Sequence, residues 1–145
     1  MRCRAYRGRR GLTTLAALAL LAGVAGCGSD RYPVTGRVMY EDGIPVTEGN
    51  VIGHSGEGPS AVTVQGSVQP DGTFEWGTDK PGDGARPGKY RVAVIPRGLG
   101  DAEMAAGMLP AVDSKFEDPK TSGIEFEVKP QRNELNITVT KPKKK

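Results

Sequence analysis

Apolar and polar residues alternate along most of the chain between residues 34 and 140. A period of two places every second side chain on one face of a β-strand, and a polar second face indicates a sheet with one side in water. The alternation predicts six strands, with apolar members Val34, Val38 and Tyr40; Val62, Val64 and Val68; Phe74 and Trp76; Tyr90, Val92 and Val94; Ile124, Phe126 and Val128; and Leu135, Ile137 and Val139. Val51 and Ile52 predict a seventh, shorter strand.

Turn-forming residues separate these strands. Asp42-Gly43, Asp71-Gly72 and the stretches 81–88 and 119–123 are rich in residues that favour turns. Seven short strands with regular turns predict an all-β protein with a single antiparallel sandwich rather than alternating strands and helices.

The exception to this spacing is a long connection from Arg97 to Ser114, which we expect to cross one end of the sandwich. Within it, Asp101 to Leu109 permits one or two helical turns with Asp101 as the N-cap, and Gly107 and Pro110 limit their length.

The first 27 residues have a different pattern. Five arginines lie within the first ten residues, and the run from Leu12 to Gly26 is composed mostly of Leu, Ala, Gly and Val. This run is too short for a membrane span, which needs roughly 20 apolar residues. The run ends in Val24-Ala25-Gly26-Cys27, and the whole segment resembles the signal peptides of bacterial lipoproteins.

The resemblance implies that the Cys27 sulfur receives a diacylglycerol, that the chain is cut before Cys27, and that the new amine is acylated. The protein is then exported and lipid-anchored in the cell envelope, facing the periplasm or the surface. The alternatives are ordinary secretion with cleavage nearby and a cysteine that occurs at this position by chance. The predicted organisation is a signal peptide (1–26), a lipidated tether (27–32), a β-sandwich domain (33–140) and a basic tail (141–145).

Removal of the signal peptide changes the charge of the chain. The whole sequence has 20 basic and 17 acidic residues, and the signal peptide carries five of the basic ones and no acidic ones. The remaining chain is slightly acidic, so its charge gives no argument for binding nucleic acid. Cys3 leaves with the signal peptide, and a lipidated Cys27 leaves no thiol for a disulfide, a nucleophile or a metal ligand.

Few residues suggest catalysis. Gly53-His54-Ser55-Gly56-Glu57 partly matches the nucleophile elbow of hydrolases, but the motif requires Gly at the last position and a helix after the strand. We therefore interpret His54 and Ser55 as part of a solvated loop. His54 is the only histidine, so a histidine-based zinc site lacks further nitrogen or thiolate ligands.

Two other groups of residues allow a binding site. The carboxylates Asp71, Glu75, Asp79 and Asp83 lie near turns, where calcium could bind, but their spacing is not that of an EF-hand. Trp76 and Tyr90 could stack on a sugar, but both occupy apolar strand positions, which favours core packing. The sequence therefore predicts no catalytic, cofactor-binding or metal-binding residue, and Cys27 is its one predicted modification site.

Several turn and strand motifs occur in an order that resembles carboxypeptidase regulatory-like domains. They are Val34-Thr35-Gly36-Arg37-Val38, Asp42-Gly43-Ile44-Pro45-Val46, Gly49-Asn50-Val51, Pro70-Asp71-Gly72-Thr73-Phe74 and Pro87-Gly88-Lys89-Tyr90-Arg91-Val92. More closely, the chain resembles the small lipoproteins with such a domain that are abundant in planctomycete-type bacteria. It implies a seven-stranded, transthyretin-like (prealbumin-like) Greek-key sandwich, usually without catalytic activity.

These observations give one leading hypothesis and two alternatives. The leading one is a non-catalytic lipid-anchored protein that displays a β-sandwich for binding or structural support, with an envelope protein or a glycan as partner. The first alternative is an envelope hydrolase or transferase that uses loop carboxylates such as Asp79 and Asp83. The second is an assembly or secretion accessory protein that uses a sheet edge to bind its partner.

Overall fold

The computed structural model describes residues 30–56, 61–108 and 111–143, so the predicted signal peptide and Cys27 lie outside the described residues. The described residues form seven strands, one short helix and one 3₁₀ turn. The strands are β1 (Val34–Tyr40), β2 (Gly49–Ser55), β3 (Val62–Val68), β4 (Thr73–Glu75), β5 (Gly88–Pro96), β6 (Ile124–Val128) and β7 (Asn133–Val139). The helix α1 is Asp101–Ala105, and the 3₁₀ turn is Ser114–Phe116.

The strands form two sheets, with strand orders β4-β1-β7 and β3-β2-β5-β6. All neighbours are antiparallel except β1 and β7, which are parallel from Val34 opposite Asn133 to Tyr40 opposite Val139. The all-β sandwich of seven strands is thus confirmed, but the expectation of antiparallel pairing throughout was wrong. Alternation fixes which face a side chain occupies, and it carries no information on the direction of the neighbouring strand.

The parallel pairing defines two ends of the molecule. We call the end where β1 begins the proximal pole; it contains residues 30–33 and the β4–β5 connection (76–87). We call the end where β7 finishes the distal pole; it contains the β1–β2 turn (41–48), helix α1 and residues 140–143. The described chain therefore enters at one pole and leaves at the other.

The predicted apolar faces meet in a single core between the sheets, and Trp76 lies at its centre. Its ring centroid is 5.6 Å from that of Tyr90, 6.0 Å from that of Phe126 and 6.4 Å from that of Phe74. A Cβ at Gly53 would lie 2.8 Å from the Trp76 ring, so the indole occupies the space that a side chain on β2 would need. Such close packing is typical of protein interiors.

Two local predictions were wrong. Strand β2 continues through Gly53, His54 and Ser55, so these residues are in a strand and not in a solvated loop. The N-cap of α1 is Gly100 and not Asp101, because the Gly100 N–H donates to the Glu103 carboxylate at 2.8 Å and the helix starts one residue later.

The long connection after β5 crosses the distal pole, as expected. The Tyr40 hydroxyl donates to the Ala111 carbonyl at 2.8 Å, and the Asp113 N–H donates to the Thr140 carbonyl at 2.9 Å. Val112 and Phe116 are buried and join the core, whereas α1 buries none of its side chains. The connection therefore closes this end of the sandwich and leaves α1 on the surface.

Candidate functional site

Residues 30–32 bind the β4–β5 connection at the proximal pole through ion pairs and backbone hydrogen bonds. The Arg31 guanidinium pairs with the carboxylates of Asp79 and Asp83. The backbone of Tyr32 exchanges two hydrogen bonds with Ala85, with N–O distances of 2.8 and 3.0 Å. We call this set of contacts, together with the 2.8 Å ion pair between Asp30 and Arg86, the N-terminal clamp.

Asp83 stabilises the conformation of the β4–β5 connection, to which residues 30–32 bind. Its carboxylate accepts hydrogen bonds from the backbone N–H groups of Thr78, Asp79 and Lys80 at 2.6, 3.2 and 3.3 Å. Burial opposes ionisation, but the three N–H groups and the Arg31 charge outweigh it and hold the pKa of Asp83 below its usual value. Every described partner of this carboxylate is a donor, so a cation would have to displace Arg31.

The other two carboxylates considered for calcium are not part of the clamp. Asp71 accepts from the Thr73 hydroxyl at 2.6 Å and the Thr73 N–H at 3.0 Å, which lowers its pKa and stabilises the β3–β4 turn. Glu75 is exposed on β4. Among the residues that the structure describes, no group of three or more His, Cys, Asp or Glu side chains could hold a metal ion.

His54 and Ser55 are neighbours on β2 but point to opposite faces of the sheet, because successive side chains of a strand alternate. His54 is exposed, and its Nδ1 lies 2.9 Å from the Thr63 hydroxyl on the adjacent strand. Ser55 is half-buried and is the last residue of β2. This geometry does not bring the two residues together as a nucleophile and its base.

The two aromatic residues considered for sugar stacking are both in the core. Trp76 is fully buried, and its Nε1 has no hydrogen-bond partner among the described residues. Tyr90 is also buried, and its hydroxyl donates to the Arg86 carbonyl at 3.0 Å; burial raises the pKa of this hydroxyl. The prediction of core packing is confirmed.

A large groove of about 1280 Å³ runs over the outer face of β4-β1-β7 and the neighbouring face of β3. Its lining includes hydroxyl and amide side chains, such as Thr35, Gln65 and Asn136. It also includes five charged side chains: Arg37, Glu75, Asp79, Lys80 and Glu134. The β4–β5 connection forms its proximal end. The sequence contained a signal for this surface, since most of these residues are the polar members of the alternating strands.

The two sides of the sandwich differ in how their edges are closed. On one side, Gln65 on β3 and Gly77 after β4 exchange backbone hydrogen bonds of 2.8 and 3.0 Å, which join the two sheets. The missing side chain of Gly66 allows this approach, because a Cβ there would lie 2.3 Å from the Glu75 carbonyl oxygen.

On the other side, β7 is an open edge. The Asn133 N–H donates to the Pro33 carbonyl, so Asn133 and every second residue after it face β1. The backbone groups of Glu134, Asn136 and Thr138 therefore point away from the sheet, where no other described strand pairs with β7. An edge of this kind can accept an added strand.

The distal pole exposes large apolar side chains and the start of the basic tail. Ile44, Met104 and Met108 are 52, 56 and 55 % exposed. Lys141 lies 4.7 Å from the centre of the Tyr40 ring, and its ammonium pairs with Asp42 at 3.2 Å. The base of the tail is therefore held against the β1–β2 turn.

Comparisons with protein-family models, with curated proteins and with solved structures give no match. No helix within the described ranges has both the length and the hydropathy needed to cross a bilayer.

Proposed function

We propose that this protein is a non-catalytic, lipid-anchored protein of the cell envelope that displays a β-sandwich as a binding or structural module. The observation that carries the proposal is the order of features at the start of the chain. A lipobox ends at Cys27, and the chain is fastened to the domain from Asp30 onward. Two or more acyl chains hold a protein stably on a membrane, so this arrangement would give a durable attachment.

The strand orders support the more specific assignment to a transthyretin-like Greek-key sandwich of the carboxypeptidase regulatory-like type. Consecutive strands β2 and β3 form a hairpin in one sheet, whereas β1 pairs with the distant strands β4 and β7 in the other. Connections that pass repeatedly between two sheets are a feature of Greek-key sandwiches.

The side-chain arrangement favours binding over catalysis. Asp79 and Asp83, the carboxylates of the hydrolase alternative, are engaged by Arg31. The groove is lined by hydroxyl and amide groups together with charged side chains, and all of these form hydrogen bonds with the hydroxyl groups of a glycan. We propose an envelope glycan as the ligand of this groove.

A second candidate function is supported by the open edge of β7. An assembly or secretion accessory protein could bind an extended segment of its partner there, through the backbone groups of Glu134, Asn136 and Thr138. The seven residues of β7 are about the usual length of a paired strand.

The anchoring proposal is tested by Cys27→Ser, with Cys3→Ser as the matched control. We expect Cys27→Ser to abolish lipid labelling and to leave the unprocessed precursor, because the thiol that receives the lipid is lost. Cys3→Ser should be labelled and processed like the natural protein, since Cys3 lies in the removed segment. Metabolic lipid labelling and the size of the mature chain measure both effects. Normal labelling of Cys27→Ser would contradict the proposal.

A further inference from the structure

The N-terminal clamp leaves very little chain between the predicted lipid and the domain. Only Gly28 and Ser29 separate Cys27 from Asp30. An extended chain spans at most about 3.3–3.6 Å per residue, so the lipidated residue and Asp30 can be only about 10 Å apart. From Asp30 onward, the clamp fixes the chain to the β4–β5 connection.

We propose that the domain stands end-on on the membrane, with the β4–β5 connection and the proximal end of the groove beside the lipid headgroups. This inference rests on the lipidation of Cys27 proposed above. It identifies the proximal pole as a membrane-facing surface and the distal pole as the surface that faces other envelope components. A long flexible tether would let the domain rotate relative to the membrane. A tether of two residues followed by the clamp instead keeps the proximal pole at the membrane surface.

The charges of the proximal pole suit a layer of lipid headgroups. Residues 30–32 and 76–87 contain three acidic and three basic side chains: Asp30, Asp79, Asp83, Arg31, Lys80 and Arg86. Five of these six are joined in ion pairs within the clamp. The β6–β7 connection (129–132) lies at the same pole, because Asn133 donates to the Pro33 carbonyl at 2.9 Å, and it adds Lys129 and Arg132. The described part of the pole is therefore slightly basic, and the lipid and the clamp would set the orientation. We expect the same orientation on zwitterionic bilayers and a stronger preference for it on anionic ones.

The distal pole is then held away from the membrane. Strand β1 has seven residues, and a strand rises 3.2–3.4 Å per residue, so the two poles differ in height by about 20 Å. The exposed Ile44, Met104 and Met108 and the start of the basic tail all lie on the far side. Partners in the envelope would therefore meet this pole first.

The inference is tested by single-cysteine labelling of the lipidated protein in phosphatidylcholine vesicles. A lipidated Cys27 has no free thiol, so a dye attaches only at an introduced cysteine. Lys80→Cys at the proximal pole and Glu41→Cys at the distal pole form a matched pair of exposed turn positions. Energy transfer to acceptors on the lipid headgroups reports the height of each dye above the bilayer.

We expect strong transfer from position 80 and weak transfer from position 41, corresponding to a height difference of about 20 Å. Insertion of ten Gly/Ser residues between Ser29 and Asp30 should make the two signals similar, because the domain can then turn. Equal transfer from both dyes without the spacer, or an unchanged difference with it, would overturn the orientation while the anchor stands. Protein that fails to co-sediment with vesicles would overturn the anchor and the orientation together.

Discussion

At the scale of the residue, Gly53 is the position at which the apolar pattern failed to predict the second half of strand β2. The apolar pattern of β2 ends after Ile52, and Gly, His and Ser follow. The structure explains the change, because the Trp76 indole fills the space beside Gly53. A small residue is therefore required in a buried position where alternation would otherwise place a large apolar one.

We predict that Gly53→Ala destabilises the fold by about 1–3 kcal/mol, the usual cost of overpacking a core. The new methyl group would lie less than 3.0 Å from both the Trp76 ring and the Val64 side chain. Gly98→Ala is the matched control, since a Cβ at Gly98 meets no atom within 4 Å. Denaturant unfolding measures both variants, and equal midpoints would contradict this account of β2.

At the scale of the element, the sequence predicted the strand faces well and the contacts between distant segments poorly. Val92, Val64 and Leu135 are buried as their alternation requires, because the pleat itself determines which face they occupy. The N-terminal clamp was missed because Arg31 and its partners are about fifty residues apart in the chain. Nothing local to Arg31 indicates which carboxylates the fold brings to it.

The clamp should open in acid. The folded pKa of Asp83 is lowered, so its contribution is complete above the unfolded pKa of about 3.9 and is lost as the pH falls through the folded value. We expect the amides of Tyr32 and Ala85 to be protected from hydrogen exchange at neutral pH and to lose protection below about pH 4. Asp83→Asn should expose both amides at neutral pH, whereas Asp101→Asn on the exposed helix α1 should not. Protection that is equal in all three proteins would count against the clamp.

The open edge of β7 gives a second prediction at this scale. Asn136→Pro removes an N–H that points away from β1, so the β1–β7 ladder should survive while strand addition at the edge is blocked. If the accessory function is correct, Asn136→Pro abolishes the binding of an extended partner segment, and the matched exposed substitution Asn136→Ala does not. Binding of the segment is measured by titration, and thermal unfolding confirms that both variants are folded. A Pro variant that binds as well as the Ala variant would exclude the edge.

At the scale of the whole molecule, the basic tail begins at the pole that the proposed orientation places away from the membrane. Four lysines lie between positions 141 and 145, and the tail begins at the distal pole. A lysine near an anionic surface contributes about 1 kcal/mol of binding, but only within reach of that surface. In the proposed orientation, the tail is available to anionic polymers of the envelope rather than to the membrane that holds the protein.

We therefore predict that deletion of residues 142–145 leaves the membrane retention of the lipidated protein unchanged and weakens its binding to a soluble anionic glycan at low salt. The deletion keeps Lys141 and its ion pair with Asp42, so the fold should be intact. Vesicle sedimentation and glycan titration measure the two effects. If the deletion reduces retention on vesicles, the tail contacts the membrane and the prediction is wrong. If glycan binding is unchanged, the tail serves only to keep the protein soluble.

The parallel pairing of β1 with β7 also determines how the molecule would bear mechanical load. A pull between a fixed anchor and a held tail draws β1 toward one pole and β7 toward the other. The strands are then loaded in shear, and the hydrogen bonds along all seven paired positions share the force instead of opening one after another. The domain would transmit tension along its length as a stiff link, and its lifetime under force would be set by the rate of unfolding.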